Sequence, residues 1–281
     1  MARNLGGRRD DASDSDFPDL TLDAPFRGIG AGSIINNPAI FLNVYGRRTP
    51  YILQYTFNVQ RQFGENFMAE AGYVGNVGHK LERIRWVNLP LPGAGAVQAR
   101  RPWPELGNSQ LVDSVSNSNY NALALKIQQR HSSGLSYMFS YTMSKSIDSG
   151  SGIRAHGGDE FPQDNYDISK GERGLSTFHV SQRFTGSPIW ELPFGKGRRW
   201  VDRGGVVNAF AGGWQIASIF TFQAGRPLTV ASGQDVANVG GGSSQRPDAT
   251  GEPVALPKGQ RDSSHYFNTA AFRMPTPFNY G

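Results

Sequence analysis

The stretch from Tyr51 to Val77 constrains this chain more than any other. Tyr51, Leu53, Tyr55, Phe57, Val59 and Phe63 fall on one parity, with Gln54, Thr56, Asn58, Gln60 and Gln62 on the other; Ile52 and Arg61 are out of step. A period of two over this length specifies a strand with one apolar and one polar face. Gly64-Glu65-Asn66 reverses the chain, and Phe67, Ala69, Ala71 and Tyr73 resume the apolar parity against Met68, Glu70, Gly72 and Val74. This pattern predicts a β-hairpin closed by a tight turn. Its second face is mostly amide and hydroxyl, which suits a wet interior better than a charged exterior.

The same rhythm returns further along. Leu123, Leu125 and Ile127 oppose Ala124, Lys126 and Gln128; beyond the His131–Gly134 turn, Leu135, Tyr137, Phe139, Tyr141 and Met143 alternate with Ser136, Ser140, Thr142 and Ser144. From Phe178 to Phe194, Phe178, Val180, Phe184, Trp190, Leu192 and Phe194 share a parity against His179, Ser181, Arg183, Thr185, Ser187 and Glu191. Pro188 lacks an N–H for a ladder, so a bulge or local unpairing is expected there. Trp214, Ile216, Phe220 and Phe222 then oppose Gln215, Ala217, Thr221 and Gln223, and the pattern ends near Val230.

The connections alternate in length. Gly64–Asn66 and His131–Gly134 are short, and the turn after Phe194 is moderate. Gly78–Asn119, Ile147 to about Thr177, and Ala231–Gly281 are long. Short turns at one end and long loops at the other are the signature of an outer-membrane barrel. The expected fold is all-β: an antiparallel meander of long strands forming part of a transmembrane β-barrel, with long extracellular loops. Residues 1–48 read as irregular apart from a short strand within Ala39–Tyr45; 49–230 form the barrel segment, about six strands in three hairpins; 231–281 form a long loop. Phe63, Phe67, Phe194 and Trp200 lie at the short turns, with Tyr51, Tyr73 and Tyr141 toward the far ends, as aromatic belts at headgroup level require.

Composition supports this. With 35 Gly and 17 Pro among 281 residues, turns and loops outweigh packed helices. Only 38% of residues are hydrophobic, and no run approaches the roughly 20 apolar residues of a spanning helix. That excludes a helical membrane protein and leaves a barrel open. The absence of cysteine rules out disulfides and thiolate metal sites. The net charge of +5 is spread through the chain, so no nucleic-acid partner is expected. Met1–Asp11 carries basic residues without an apolar segment behind them, which is not a secretory signal.

Several segments resemble, in order, the barrel region of TonB-dependent outer-membrane receptors of the Oar-like type. They include Thr49-Pro50-Tyr51 through Gln62, Ala71-Gly72-Tyr73-Val74-Gly75, Ser118–Leu123, Ser140-Tyr141-Thr142-Met143-Ser144-Lys145-Ser146, Glu191-Leu192-Pro193-Phe194-Gly195, Gly225-Arg226-Pro227 and Phe267–Phe272. The resemblance implies a barrel of about 22 strands closed by a plug. It also implies ligand uptake energised by TonB, with outer-membrane lipid, the rest of the barrel, a plug, TonB and an unidentified ligand as partners. The sequence shows no plug, TonB-contacting segment or terminal aromatic strand, and about six strands are too few to close a barrel. An internal fragment or a truncated gene product is therefore expected.

Candidate chemistry is sparse. None of the histidines, His79, His131, His156, His179 and His265, lies in a ligand-spaced pair, and solvated roles are expected. Asp159, Glu160, Asp164 and Asp167 supply oxygen ligands without the glycine and terminal glutamate of a calcium loop. Gly28, Gly30 and Gly32 lack the strand–helix setting of a dinucleotide loop. No G-x-S-x-G elbow occurs. No enzyme activity and no cofactor is expected. The polar parity is the better candidate: Gln54, Asn58, Gln60, Glu70, Lys126, Gln128, Ser140, Thr142, Arg183, Gln215 and Gln223 would line a lumen. Trp86, Trp103 and Tyr166 would either stack on a sugar or aromatic ligand or pin the loops. The competing reading is a secreted carbohydrate-binding or adhesion domain, with the apolar parity buried between two packed sheets.

Overall fold

A computed structural model describes residues 37–132, 134–152, 161–168, 171–202, 204–241 and 244–281. The expectations placed on 1–36 lie outside the described residues. The hairpin that opens the meander pairs β2 (Tyr51–Phe63) with β3 (Phe67–Trp86), in unbroken register from Phe63↔Phe67 to Tyr51↔His79. Gly64 takes φ +64° at the turn, and the Gln62 side-chain amide donates to the Gly64 and Glu65 carbonyls. β3 continues into β4 (Gln110–Ser132), and β4 pairs with β5 (Leu135–Asp148).

The chain then returns along β5 in three pieces: β6 (Gly174–Leu175), β7 (Gln182–Gly186) and β8 (Ile189–Glu191). The gap between β7 and β8 falls at Pro188, where a ladder donor is missing. Beyond a turn carrying α1 (Val206–Ala211), β9 (Gln215–Ala217) pairs with β8, and β10 (Phe220–Gln223) with β7. The order β10-β7-β5-β4-β3-β2 is a meander, and its first and last strands are not paired to each other among the described residues. β1 (Phe41–Asn43) lies parallel to the far end of β4, and β11 (Asp248–Ala249) pairs with β12 (Phe272–Arg273).

Two expectations need correction. Gly78–Asn119 is not one long loop: β3 runs to Trp86 and β4 starts at Gln110, so the connection is 87–109. The moderate turn after Phe194 contains a helix, Val206–Ala211, which its place between two strands did not suggest.

The apolar face is exposed. Register rows such as Val59–Ala71–Leu125–Tyr141–Phe184–Phe222 stay on one side across the sheet. Leu53 is 55%, Phe57 69% and Phe222 67% accessible. This is a single-layer sheet with its rings outward, so the two-sheet core of a sandwich is not what forms. Where a row contains glycine, neighbouring rings close over it: a Cβ on Gly186 would lie 2.7 Å from the Phe139 ring and nearer still to Phe220. The rings of Phe139, Phe184 and Phe220 sit 5.9–6.2 Å apart there.

The limits of this face cross the register rows. Toward the long-loop end it reaches Tyr51 on β2, but on β4 it stops at Leu123, before Asn121. On β5 it stops at Met143, before Lys145, and on β7 at Phe184, before Gln182. The limit slides from the Tyr51 row to the Val59 row by β7, about two residues per strand. With a rise of about 3.3 Å and a spacing of about 4.8 Å, that slope is a strand tilt of roughly 54°, steeper than the roughly 35–45° usual for spanning barrels. The 13 residues of β2, so tilted, cover roughly 25 Å, matching the apolar band of such barrels.

Candidate functional site

The polar face carries the predicted site residues together. One row reads Asn58–Gly72–Ala124–Thr142–Arg183–Gln223, and the next Gln60–Glu70–Lys126–Ser140–Thr185–Thr221. Gln54 heads a row with Asn76, Tyr120 and Ser146, and Gln128 shares one with Gln62, Met68 and Met138. Gln215 pairs with Glu191 across β8 and β9. Alternation along the strands suffices to gather all of them, because partners in an antiparallel register share a face.

Two residues that alternation did not reveal sit above them. Between Gly78 and Leu81 the register slips by one residue on β3, and between Leu81 and Glu82 by one on β4. Lys80 takes φ +56° inside the first slip. Each bulge swaps the pleat, so Arg83 and Arg85, on the odd parity that faces outward lower down, turn to the polar side. Arg83 donates to the Ser149 carbonyl and, at 2.9 Å, to Glu172. Arg85 donates to the Asn165 carbonyl at 3.1 Å and to Asp113 at 3.2 Å.

These arginines anchor a cap of loops over the strand ends. Glu172 also accepts from Arg246 at 2.6 Å and from the Gln163 backbone N–H at 3.0 Å. The Gln163 side chain accepts from the Arg246 N–H, tying 161–176 to 244–246. Asn88 is fully buried; its amide donates to the Trp103, Leu106 and Gly107 carbonyls and its oxygen accepts from the Trp103 N–H. A small apolar cluster, Leu89, Ala237 and Val239, joins the 87–109 loop to the 231–281 segment, with Trp86 and Tyr280 against it. Burial raises the Tyr280 hydroxyl far above its ordinary range, and Asp164 and Asp235 add to this. Partial desolvation also raises Tyr166, which stays half exposed, with Asp164 adding to it while Arg85 and Arg101 oppose.

The three loop aromatics are placed differently. Trp86 stacks on Phe161 with ring centroids 4.2 Å apart. Tyr166 donates its hydroxyl to the Leu89 carbonyl at 2.5 Å, and Trp103 is half exposed. Two partly open cavities lie between cap and sheet on the polar side, beside a third of about 460 Å³ lined by Arg85, Asn117, Asn165, Tyr166 and Arg173. The upper, about 530 Å³, is lined by Arg83, Arg226, Arg246, Asp148, Glu172 and several hydroxyl residues. The lower, about 310 Å³, lies between Thr142, Ser144 and Ser146 of β5 and the Phe178–Val180 segment, with Arg183 and Gln223 at its side.

An exposed apolar band, a polar reverse face and loops gathered at one end mark a sheet that crosses an outer membrane once its edges are paired into a closed barrel. The family model of the outer membrane beta barrel domain matches residues 7–281. The chain belongs to that outer-membrane β-barrel family. Neither the curated proteins nor the solved structures gave a match. The barrel domain resides in the outer membrane, its apolar band in lipid.

The remaining chemical candidates of this barrel domain divide as follows. His179, expected in water, is buried, and its Nδ1 accepts the Ser146 backbone N–H at 3.2 Å, so it stitches a loop to β5. His79 contacts Asn117 at 3.3 Å, and His265 lies in an exposed turn whose backbone N–H groups are held by Asp262. His156 and the His131 side chain lie outside the described residues, as do Asp159 and Glu160. Asp164 accepts from the Tyr166 and Asp167 N–H groups and so holds its own turn. No group of three metal-ligating side chains occurs among the described residues.

Proposed function

We propose that this outer-membrane barrel domain is the translocation barrel of a TonB-dependent receptor of Oar-like type, taking up a ligand selectively and catalysing no reaction. In this reading the polar rows line the lumen, the long-loop end faces the exterior, the cap captures ligand and a plug gates passage. The observation that carries it is the pair of cavities between cap and polar face, since a barrel serving only as an anchor has no need of them. The ordered sequence resemblance from Thr49 to Phe272 adds to it.

The test uses the full-length protein in detergent. Heat-modifiable migration reports the closed barrel, and retention on an immobilised periplasmic domain of TonB reports coupling. A heat-modifiable protein that ignores TonB would end the coupled-receptor reading and leave the barrel intact. The single-layer sheet leaves the secreted carbohydrate-binding alternative without the packed core it needs.

A further inference from the structure

The charges around the two cavities do not balance, and this points to a ligand class. On the upper cavity, Glu172 is engaged by Arg83, Arg246 and the Gln163 N–H, and Asp148 accepts from the Ser151 hydroxyl. The guanidinium of Arg226, an exposed residue, lines the same cavity and makes no hydrogen bond or ion pair among the described residues; the same holds for the guanidinium of Arg183, also exposed, at the lower cavity. The two arginines lie close along the fold: Arg183 pairs in register with Gln223, three positions before Arg226. A second feature is independent of charge. The Ser244 hydroxyl also lines the upper cavity, shut off from solvent and with no hydrogen-bond partner among the described residues.

A guanidinium offers a fork of donors that matches a carboxylate or phosphate, and a buried hydroxyl without a partner is disfavoured until one arrives. An oxyanion in the upper cavity can supply the acceptor that each lacks, since both line it. The surrounding Ser149, Ser151, Thr177 and Thr229 suit hydroxyl groups on the ligand's body, and Phe161 and Leu228 give it apolar walls. We propose that the upper cavity is a binding site for a small oxyanion-bearing, polyhydroxylated ligand. Arg226 is its principal donor, Ser244 its second, and Arg183 the next cation on the polar face below. This inference rests on the uptake reading above and names its ligand class.

The test titrates full-length protein in detergent with inorganic phosphate, citrate and glucose at matched ionic strength. Saturable binding of phosphate or citrate, with glucose alone binding far more weakly, is expected; which anion prevails separates a phosphate from a carboxylate ligand. Arg226→Gln should weaken binding tenfold or more, Arg226→Lys less, and Ser244→Ala a few-fold. Lys258→Gln, an exposed charge far along the chain, should leave it unchanged. Heat-modifiable migration of each variant certifies the barrel. Absence of anion binding in a heat-modifiable protein, or equal binding by Arg226→Gln, overturns the site. Anion binding that persists without TonB retention upholds the site and overturns only the coupling.

Discussion

Glu172 accepts from two guanidinium groups and a backbone N–H while only 5% of its side chain is exposed, and its partner Arg83 is 4% exposed. Removing the carboxylate strands a buried cation, which typically destabilises by about 3–5 kcal/mol. Glu172→Ala should therefore loosen the cap locally, seen as faster hydrogen exchange across 161–176, with heat-modifiability of the barrel retained. Unchanged exchange there would show that the cap is held elsewhere. Gly186 gives a steric counterpart on the apolar face. Gly186→Val should disrupt the Phe139, Phe184 and Phe220 cluster and destabilise by about 1–3 kcal/mol. Urea unfolding from lipid vesicles measures it, and a neutral result would mean that the rings are free to move aside.

Strands obey a simpler rule, because each has two faces in two solvents. Phe57 points outward within the apolar band and Gln60 inward. Phe57→Arg should cost about 2–4 kcal/mol of folding free energy in bilayers if it lies near the midplane, whereas Gln60→Arg should cost little. Vesicle unfolding of both variants decides it, and equal penalties would contradict the assignment of faces. This rule also marks how far the sequence could be read. Strict alternation made Tyr51–Val77 and Leu135–Met143 legible, down to which residue faces which way. It failed from Gly78 to Ser118, where paired bulges flip the pleat and put charges on the formerly apolar parity. An uninterrupted reading would turn Arg83 and Arg85 toward lipid, and Pro90, Pro92, Pro102 and Pro104 made the whole segment read as a loop. The helix at Val206–Ala211 was hidden for a different reason: six residues carry too little periodicity to distinguish from a turn.

At the scale of the molecule, the sheet and the cap answer to different forces. The sheet keeps its apolar side chains outward because lipid, not a second layer, receives them, and its edges at β2 and β10 need pairing partners within the bilayer. The cap is held by buried polar groups, and pH should act there first. Tyr166 and Tyr280 both hold their protons more tightly in the folded cap than tyrosine does in water, chiefly because each is partly desolvated, Tyr166 while still half exposed. A raised folded value means that their contribution is complete below about pH 10, the ordinary tyrosine range, and is lost as pH climbs through and above it. The cap should thus open under alkaline conditions before the barrel unfolds, and Tyr280→Phe should remove part of that sensitivity. Limited proteolysis of 231–281 against pH tests this, with simultaneous loss of heat-modifiability as the contrary result.

The residue order alone determined the strand faces, the alternation of short and long connections, and the set of polar side chains that share one side, because a period of two is a local property of an extended chain. Only the tertiary structure decided the buried arginines, the loop cap and its cavities, and the unengaged cations Arg183 and Arg226. Those depend on where bulges change the pleat and on which distant loops meet, contacts made across gaps such as Arg83 to Glu172 and Gln163 to Arg246. No local repeat records such pairings, since nothing in an extended segment's own sequence says what will later fold over it.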